Sequence, residues 1–414
     1  MNKLIISFCT FSILLLSGLD VKAQVYDPIE GCIINAGSGE CLPNTILSAM
    51  PFLRIVPDAR SGAMGDVGIA ISPDANSMHH NASKLAFVQQ DVGLSATYTP
   101  WLRDLGLTDV YLAYLSGFKQ IDELQTIGYS LRFFSLGEIT FTNQDGGITG
   151  EGKPREMEFA LAYARKLGEN LSAGLTAKYI YSNLAAGQSI GNIEISAANA
   201  FAVDVSLFYK KPMKVSGYDS KFTFGTNISN VGSKVSYTAN VVKDFLPMNL
   251  GLGTALEMEF DEYNTMTFAF DINKALLPTP VSKFIDNGDQ TPTLNPDWDA
   301  DGDDFADYRQ QSMFSALLGS FSDAQGGFGE ELQELAYSIG IEYWYDKQFA
   351  VRTGYYYENA LKGDRKFLTV GVGLKYNVFG LNLSYLVPTN NNRNPLDNTL
   401  RFTLNFDFAD AADY

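Results

Sequence analysis

The residues best placed to do chemistry in this chain are acidic and evenly spaced. Asp297, Asp299, Asp301 and Asp303 alternate through D-W-D-A-D-G-D-D, with Gly302 at the sixth place counted from Asp297. Oxygen ligands at the first, third and fifth positions with a glycine at the sixth open a calcium loop, because this hard cation takes carboxylate oxygens around a sharp turn. The bidentate Glu that closes such a loop at the twelfth position is absent. Tyr308 stands there, with Asp307 one place earlier as a substitute. Two readings stay open: a Ca²⁺ site on Asp297, Asp299, Asp301 and Asp303, and a solvated acidic loop.

Other reactive residues are poorly arranged. Gly187-Gln188-Ser189-Ile190-Gly191 has nucleophile-elbow spacing, which needs a strand–turn–helix context and a histidine later in the chain. The two histidines, His79 and His80, come earlier and lack companions at metal-ligand spacing. They read as hydrogen-bonded residues of a packed segment, so no enzyme activity is expected. Cys32 and Cys41, separated by I-I-N-A-G-S-G-E, can close a small loop in an oxidising compartment. A disulfide is expected there, with two free thiols as the alternative.

The chain that must position these groups has 414 residues and a formal net charge of −17. With a pI near 4.5, it argues against a nucleic-acid partner, which would want a basic face. Residues 1–23 read as an export signal: Lys3, an apolar core from Leu4 to Leu19, then Val21-Lys22-Ala23 before Gln24. Beyond it no apolar run reaches the ~18 residues of a spanning helix, so a membrane form must be a closed barrel. The mean hydropathy of −0.05 suits one, since alternating strands average to near zero.

Period-two alternation is clearest at the end of the chain. Leu400, Phe402, Leu404, Phe406 and Phe408 alternate with Arg401, Thr403, Asn405 and Asp407, one set on each face of a strand. In a membrane barrel that means lipid outside and a polar lumen inside. Fourteen such segments are expected, near 92–99, 109–118, 126–142, 156–166, 170–182, 199–210, 221–230, 247–260, 264–274, 335–345, 349–358, 366–377, 379–387 and 398–408. Their connections sort into long (143–155, 183–198, 231–246, 275–334, 388–397) and tight (168–170, 261–263, 346–348, Val378), with 211–220 the awkward member. Short turns at one end and long loops at the other mark an outer-membrane barrel. The fold class expected is all-β: a 14-stranded antiparallel transmembrane β-barrel. Tyr343-Trp344-Tyr345 and Tyr355-Tyr356-Tyr357 lie near strand ends, where interfacial aromatics collect. Tyr308–Leu318 reads as one short amphipathic helix inside the loop 275–334.

Residues 54–90 do not alternate. They are dense in small residues, with Asp74, Asn76 and Asn81 placed to cap short helices or turns. A compact small-residue segment feeding a barrel suggests a plug in its lumen. Ala59-Arg60-x-Gly62-x-Met64-Gly65, Asp74-x-Asn76 and Asn81-Ala82-x-x-Leu85-Ala86 resemble the N-terminal hatch of FadL-like barrels. These are fourteen-stranded transporters of long-chain fatty acids and other hydrophobic molecules. Within that superfamily the hatch run and Tyr98-x-Pro100-Trp101-Leu102 are similar to the PorV-like outer-membrane barrels of the Bacteroidetes type IX secretion system. The resemblance spans about Arg54 to Phe408. It implies an adaptor without catalysis, integral to the outer membrane and in contact with its lipid. Such an adaptor binds a giant translocon barrel, receives secreted cargo carrying a C-terminal secretion domain, and presents it to a sortase-type surface attachment complex. A FadL-like transporter of hydrophobic molecules is the alternative. The expected organisation is a signal peptide (1–23), an N-terminal periplasmic extension (24–53), the hatch (54–90), the barrel (91–408) with 275–334 as its long extracellular contact loop, and a short tail (409–414).

Overall fold

The computed structural model describes residues 46–103, 106–142, 146–185, 187–190, 193–238, 243–281, 296, 298–303, 305–324, 327–389 and 399–408, with the backbone of short strands at 24–27, 32–35, 41–42, 284–285 and 293–294. The expected signal peptide, the tail and Asp297 lie outside the described residues, as do the side chains of Cys32 and Cys41, so the disulfide does too. Among the described residues no helix is long and apolar enough to cross a membrane.

Fourteen strands close into one antiparallel barrel. They are β1 (Val92–Pro100), β2 (Val110–Asp122), β3 (Gln125–Leu136), β4 (Arg155–Lys166), β5 (Leu171–Asn183), β6 (Ala198–Val215) and β7 (Tyr218–Gly232). The ring continues through β8 (Asn249–Glu259), β9 (Asn264–Ala275), β10 (Leu335–Tyr345), β11 (Phe349–Tyr357), β12 (Lys366–Tyr376), β13 (Phe379–Pro388) and β14 (Leu400–Phe408). Each strand pairs with its sequence neighbours, and β14 closes on β1 with Phe408 opposite Val92. Closure leaves no unpaired sheet edge, which hydrocarbon would punish severely. In β14, Leu400, Phe402, Leu404 and Phe408 face outward and exposed while Arg401 and Thr403 are buried inward. The lipid-side and lumen-side assignment of the alternation therefore holds.

The turns 123–124, 167–170, 216–217, 260–263, 346–348 and 377–378 gather at one mouth. The longer connections 101–109, 137–154, 184–197, 233–248, 276–334, 358–365 and 389–399 gather at the other. The awkward 211–220 segment is not a loop. β6 and β7 run through it as a hairpin to a two-residue turn at Ser216 and Gly217, both at positive φ, the backbone such a turn requires. Pro212 is tolerated because β6 pairs with β5 only as far as Tyr209, so the missing N–H falls on an unpaired side. The expected strand 126–142 is also corrected. The barrel strand stops at Leu136, Gly137 turns at φ +83°, and Ile139–Thr142 pairs instead with Ile148–Gly152.

Each aromatic triplet is split by the pleat. Tyr345 is exposed at the short-turn rim, whereas Tyr356 is buried and stacks on Phe367 at 4.8 Å, and Trp344 lies 5.2 Å from the Arg352 guanidinium. The extension 24–53 was expected on the periplasmic, short-turn side. Residues 46–53 of it lie at the long-loop mouth: Ala49, Met50, Phe52 and Leu53 pack with Trp101, Leu112, Phe134 and Ala198. Apolar burial decides this placement, because the inward faces of the strand ends at that mouth are apolar.

Phe408 is outward and paired at the closing seam. Phe408→Ser should lower the yield of heat-modifiable barrel several-fold in membranes. An unchanged yield would show that the terminal aromatic is dispensable for assembly.

Candidate functional site

The lumen is filled by residues 51–88, and inward-facing side chains on strands all round the barrel hold them. Asp58 caps the short helix Ala59–Gly62 by accepting from Ser61 N at 2.8 Å. Ala59 N donates to Thr403 Oγ1 and Gly65 N to Thr369 Oγ1, each at 2.8 Å. Gly68 N and Ile69 N donate to one oxygen of Asp271 at 2.8 and 3.0 Å. Lower down, Ser83 N donates to Ser206 Oγ and Ser172 Oγ to Ser83 O. Backbone groups of a non-repetitive segment are thus satisfied by the wall, the condition for such a segment at membrane depth.

Close approach is possible because the wall is lined with glycine where the plug backbone touches it. Gly340 and Gly354 face each other across β10 and β11, and Met64 and Gly65 lie directly on them. A Cβ at Gly354 would sit 2.0 Å from the Met64 carbonyl carbon. Gly65 itself has φ +67°, and a Cβ there would sit 2.6 Å from Tyr355 N, so both partners of the contact need glycine. Gly62 lies against the buried Arg401 side chain.

Arg60 is the hub of a buried ionic network. Its Nε and Nη2 form a fork on Glu342 at 2.9 and 2.7 Å, and its Nη1 reaches Asp74 at 3.2 Å. Glu342 also receives Arg352 Nε at 2.6 Å, while Arg352 Nη1 donates to Asn382. Bidentate pairing fixes orientation as well as charge. Of the expected caps, Asn81 accepts from Ser83 N and Asp74 from Asn76 N. Asn76 makes no cap; it is buried and accepts from Ser116 Oγ at 3.2 Å. Met64 and Leu85 are fully buried, Leu85 within a cluster with Met78 and Phe118.

Both histidines are structural. His79 Nδ1 lies 2.7 Å from Arg132 Nη2; a guanidinium only donates, so the ring nitrogen accepts. His80 Nε2 lies 3.0 Å from Asp58 Oδ1. Asp58 Oδ2 accepts from Ser61 N, so both oxygens of this buried carboxylate are engaged. Asp58→Asn should lower the thermal midpoint by a cost on the order of 1.5–3 kcal/mol, the usual worth of a hydrogen bond to a charged group. An unchanged midpoint would contradict the pairing.

At the long-loop mouth the connection 276–334 is anchored. Lys274 Nζ reaches Glu331 and Glu334 at 2.8 and 2.7 Å, and Lys362 Nζ reaches Glu330 and Glu334 at 2.8 and 3.0 Å. Arg309 pairs with Asp244 at 2.6 Å. Leu276, Leu277 and Ala316 pack with Phe245 and Met248. The single helix expected over 308–318 is two, Asp307–Gln310 and Met313–Gly319, because Ser312 caps the second through Ser315 N. A third helix is Phe328–Gln333. Their outer faces leave Phe314, Leu318 and Phe328 exposed at 68%, 71% and 77%.

Asp299, Asp301 and Asp307 bring one carboxylate oxygen each within 4.8 Å of one another. Asp299 Oδ1 accepts from Gly302 N and Asp303 N, and Asp307 Oδ2 from Ala300 N. Asp303 turns away to Phe305 N and Gln310 Nε2. The loop is thus closed by its own hydrogen bonds, with Asp307 rather than Asp303 completing the acidic group.

Two lumenal cavities have charged residues in their walls. One of about 100 Å³ is lined by Asp66, His80, Lys178, Asn227, Asp271 and Arg365. The other, about 610 Å³ at the short-turn mouth, is lined by charged residues including Arg60, Asp74, Lys210, Lys221 and Glu257, beside Phe87.

The profile of the family described as type IX secretion system protein PorV matches residues 40–282. The chain belongs to the PorV family. It is accordingly an outer-membrane β-barrel of the type IX secretion system, a secretion and transport family. Among solved structures it is similar to the Ralstonia pickettii toluene transporter TbuX, at 11% identity over 85% of this chain and 98% of that one, with a TM-score of 0.47. It is also similar to the P. putida toluene transporter TodX (13%, 85% and 99%, 0.44) and to a Pseudomonas aeruginosa FadL homologue (10%, 88% and 100%, 0.40). A comparison with curated protein sequences finds no match.

Sequence reading missed the strand-borne partners: Glu342, Arg352, Asp271, Arg132 and Glu158, which lies 3.5 Å from Arg132 Nε. Their signal was a charge at an inward position of an alternating strand, as in I-G-I-E-Y-W-Y. A lumen-facing charge in a filled barrel must find a counter-charge or a backbone group.

Proposed function

We propose that this PorV-family barrel is a non-catalytic adaptor whose docking surface is the outer face of the loop 276–334. The observation that carries the reading is the set of exposed apolar side chains Phe314, Leu318 and Phe328 on two helices held to the barrel, one by Ala316 packed with Phe245 and Met248, the other by the pairs Lys274–Glu331 and Lys362–Glu330. Phe314 and Leu318, four positions apart on one helix, make an exposed apolar face outside the membrane-facing strands, the mark of a protein contact. In the PorV family the partners are the giant translocon barrel, cargo with a C-terminal secretion domain and the sortase-type attachment complex. The charged side chains in the walls of these two cavities support this reading over a path for hydrophobic molecules, whose sites are largely apolar.

Phe314→Asp with Leu318→Asp and Phe328→Asp tests it. The triple variant should fold and resist heat like wild type, yet secrete less than about a tenth of the cargo, as expected for loss of hot-spot anchors. Normal secretion would remove the loop helices from the contact.

A further inference from the structure

The plug runs the full depth of the barrel. At its C-terminal end Phe87 stacks towards Phe208, 5.9 Å away, under Lys210 at 4.1 Å, and Val92 then opens β1 at the short-turn mouth beside Phe408. At its N-terminal end every contact belongs to the opposite mouth. Ile46 packs on Phe245, Met248, Leu276, Leu277 and Ala316, all in or beside the long connections. Ala49 N donates to Phe245 O at 2.9 Å. Arg132 Nη1 takes the carbonyls of Phe52 and Leu53, each at 3.0 Å, pinning the end of the turn Pro51–Arg54. Arg54 reaches Glu358, in the connection after β11, at 3.7 Å.

We infer that the chain enters the barrel from the long-loop mouth, so that Ile46 and Leu47 lie on the cell-surface side of the outer membrane. Short turns of outer-membrane barrels face the periplasm and long loops face outside. The burial of Phe52 and Leu53 and the Arg132 contacts leave the segment no slack to double back through a lumen the plug already fills. Assembly is constrained too, since a segment that crosses from mouth to mouth must be inside before β14 closes on β1.

Cysteine accessibility in intact cells tests this. Leu47 is 52% exposed, and Leu47→Cys is made in a chain carrying Cys32→Ser and Cys41→Ser. Phe328→Cys and Lys347→Cys in the same background report the long-loop and short-turn mouths. A membrane-impermeant maleimide should label Leu47→Cys and Phe328→Cys equally before and after permeabilisation, and Lys347→Cys only after it. Protection of Leu47→Cys in intact cells overturns the inference, as does a barrel whose Lys347→Cys is labelled and Phe328→Cys is not. Should Leu47→Cys fail to assemble, Ser48→Cys, half-buried beside it, takes its place in the same background. Labelling of Ser48→Cys in intact cells supports the inference, and labelling confined to permeabilised cells overturns it.

Discussion

Gly354→Val is expected to unseat the plug and to cut the yield of folded, heat-modifiable barrel by an order of magnitude. The wall at Gly354 touches plug backbone, since the nearest atoms to a Cβ there are the Met64 carbonyl carbon and Gly65 N, at 2.0 and 2.2 Å. A flexible side chain could swing away from such an intrusion, but here one of two hydrogen-bonded backbones must move. Movement would break the Gly65 N to Thr369 Oγ1 bond and pull Met64 out of its cluster with Val67, Ile71, Ala255 and Ala269. Overpacking a well-filled core ordinarily costs ~1–3 kcal/mol, and a backbone clash belongs at or beyond the upper end. Gly168→Val is the control, because a Cβ there meets nothing within 4 Å. Gel mobility with and without heating, together with tryptic cleavage at Arg60 and Lys84, reads the effect. A Gly354→Val barrel that folds normally and protects both sites would mean that the plug is seated elsewhere.

Glu342→Gln should destabilise the protein by ~3–5 kcal/mol, the usual cost of removing one partner from a buried ion pair. Glu342 is the shared counter-ion of Arg60 and Arg352, and all three side chains are at least nine-tenths buried. Asp74 remains on Arg60 and Asn382 on Arg352, but Arg352 keeps only a neutral acceptor. The thermal midpoint in detergent micelles measures the loss. Replacing the whole triad, with Arg60→Met, Glu342→Met and Arg352→Met, should recover a large part of it, because the penalty comes from uncompensated charge rather than from missing attraction. Equal midpoints for Glu342→Gln and wild type would show that the network carries no net stability. Failure of the triple variant to recover would assign the loss to packing.

The barrel was legible because period-two alternation is a local signal: a wall one strand thick must show grease outward and polarity inward at every step, as β14 does. Strand ends were less legible. Ile139–Thr142 alternates as well as β3 does, and only the turn at Gly137 separates them. Pro212 reads as a loop until β6 is seen to have outrun β5. The plug residues could be singled out by composition, yet their partners could not. Arg60 and Glu342 are 282 positions apart, and neither local spacing nor propensity joins them. The barrel mouth on which residues 46–53 pack was hidden for the same reason. It depends on Phe52 and Leu53 finding apolar strand ends at one mouth, a tertiary fact with no local pattern behind it.

The most direct test of the account is a mild-detergent pull-down of the tagged protein from its own outer membrane, with mass spectrometry of what accompanies it. The adaptor reading predicts a very large barrel, or secreted proteins that share a C-terminal domain. Recovery of the barrel alone, carrying a fatty acid or another apolar molecule, would contradict it and identify a transporter.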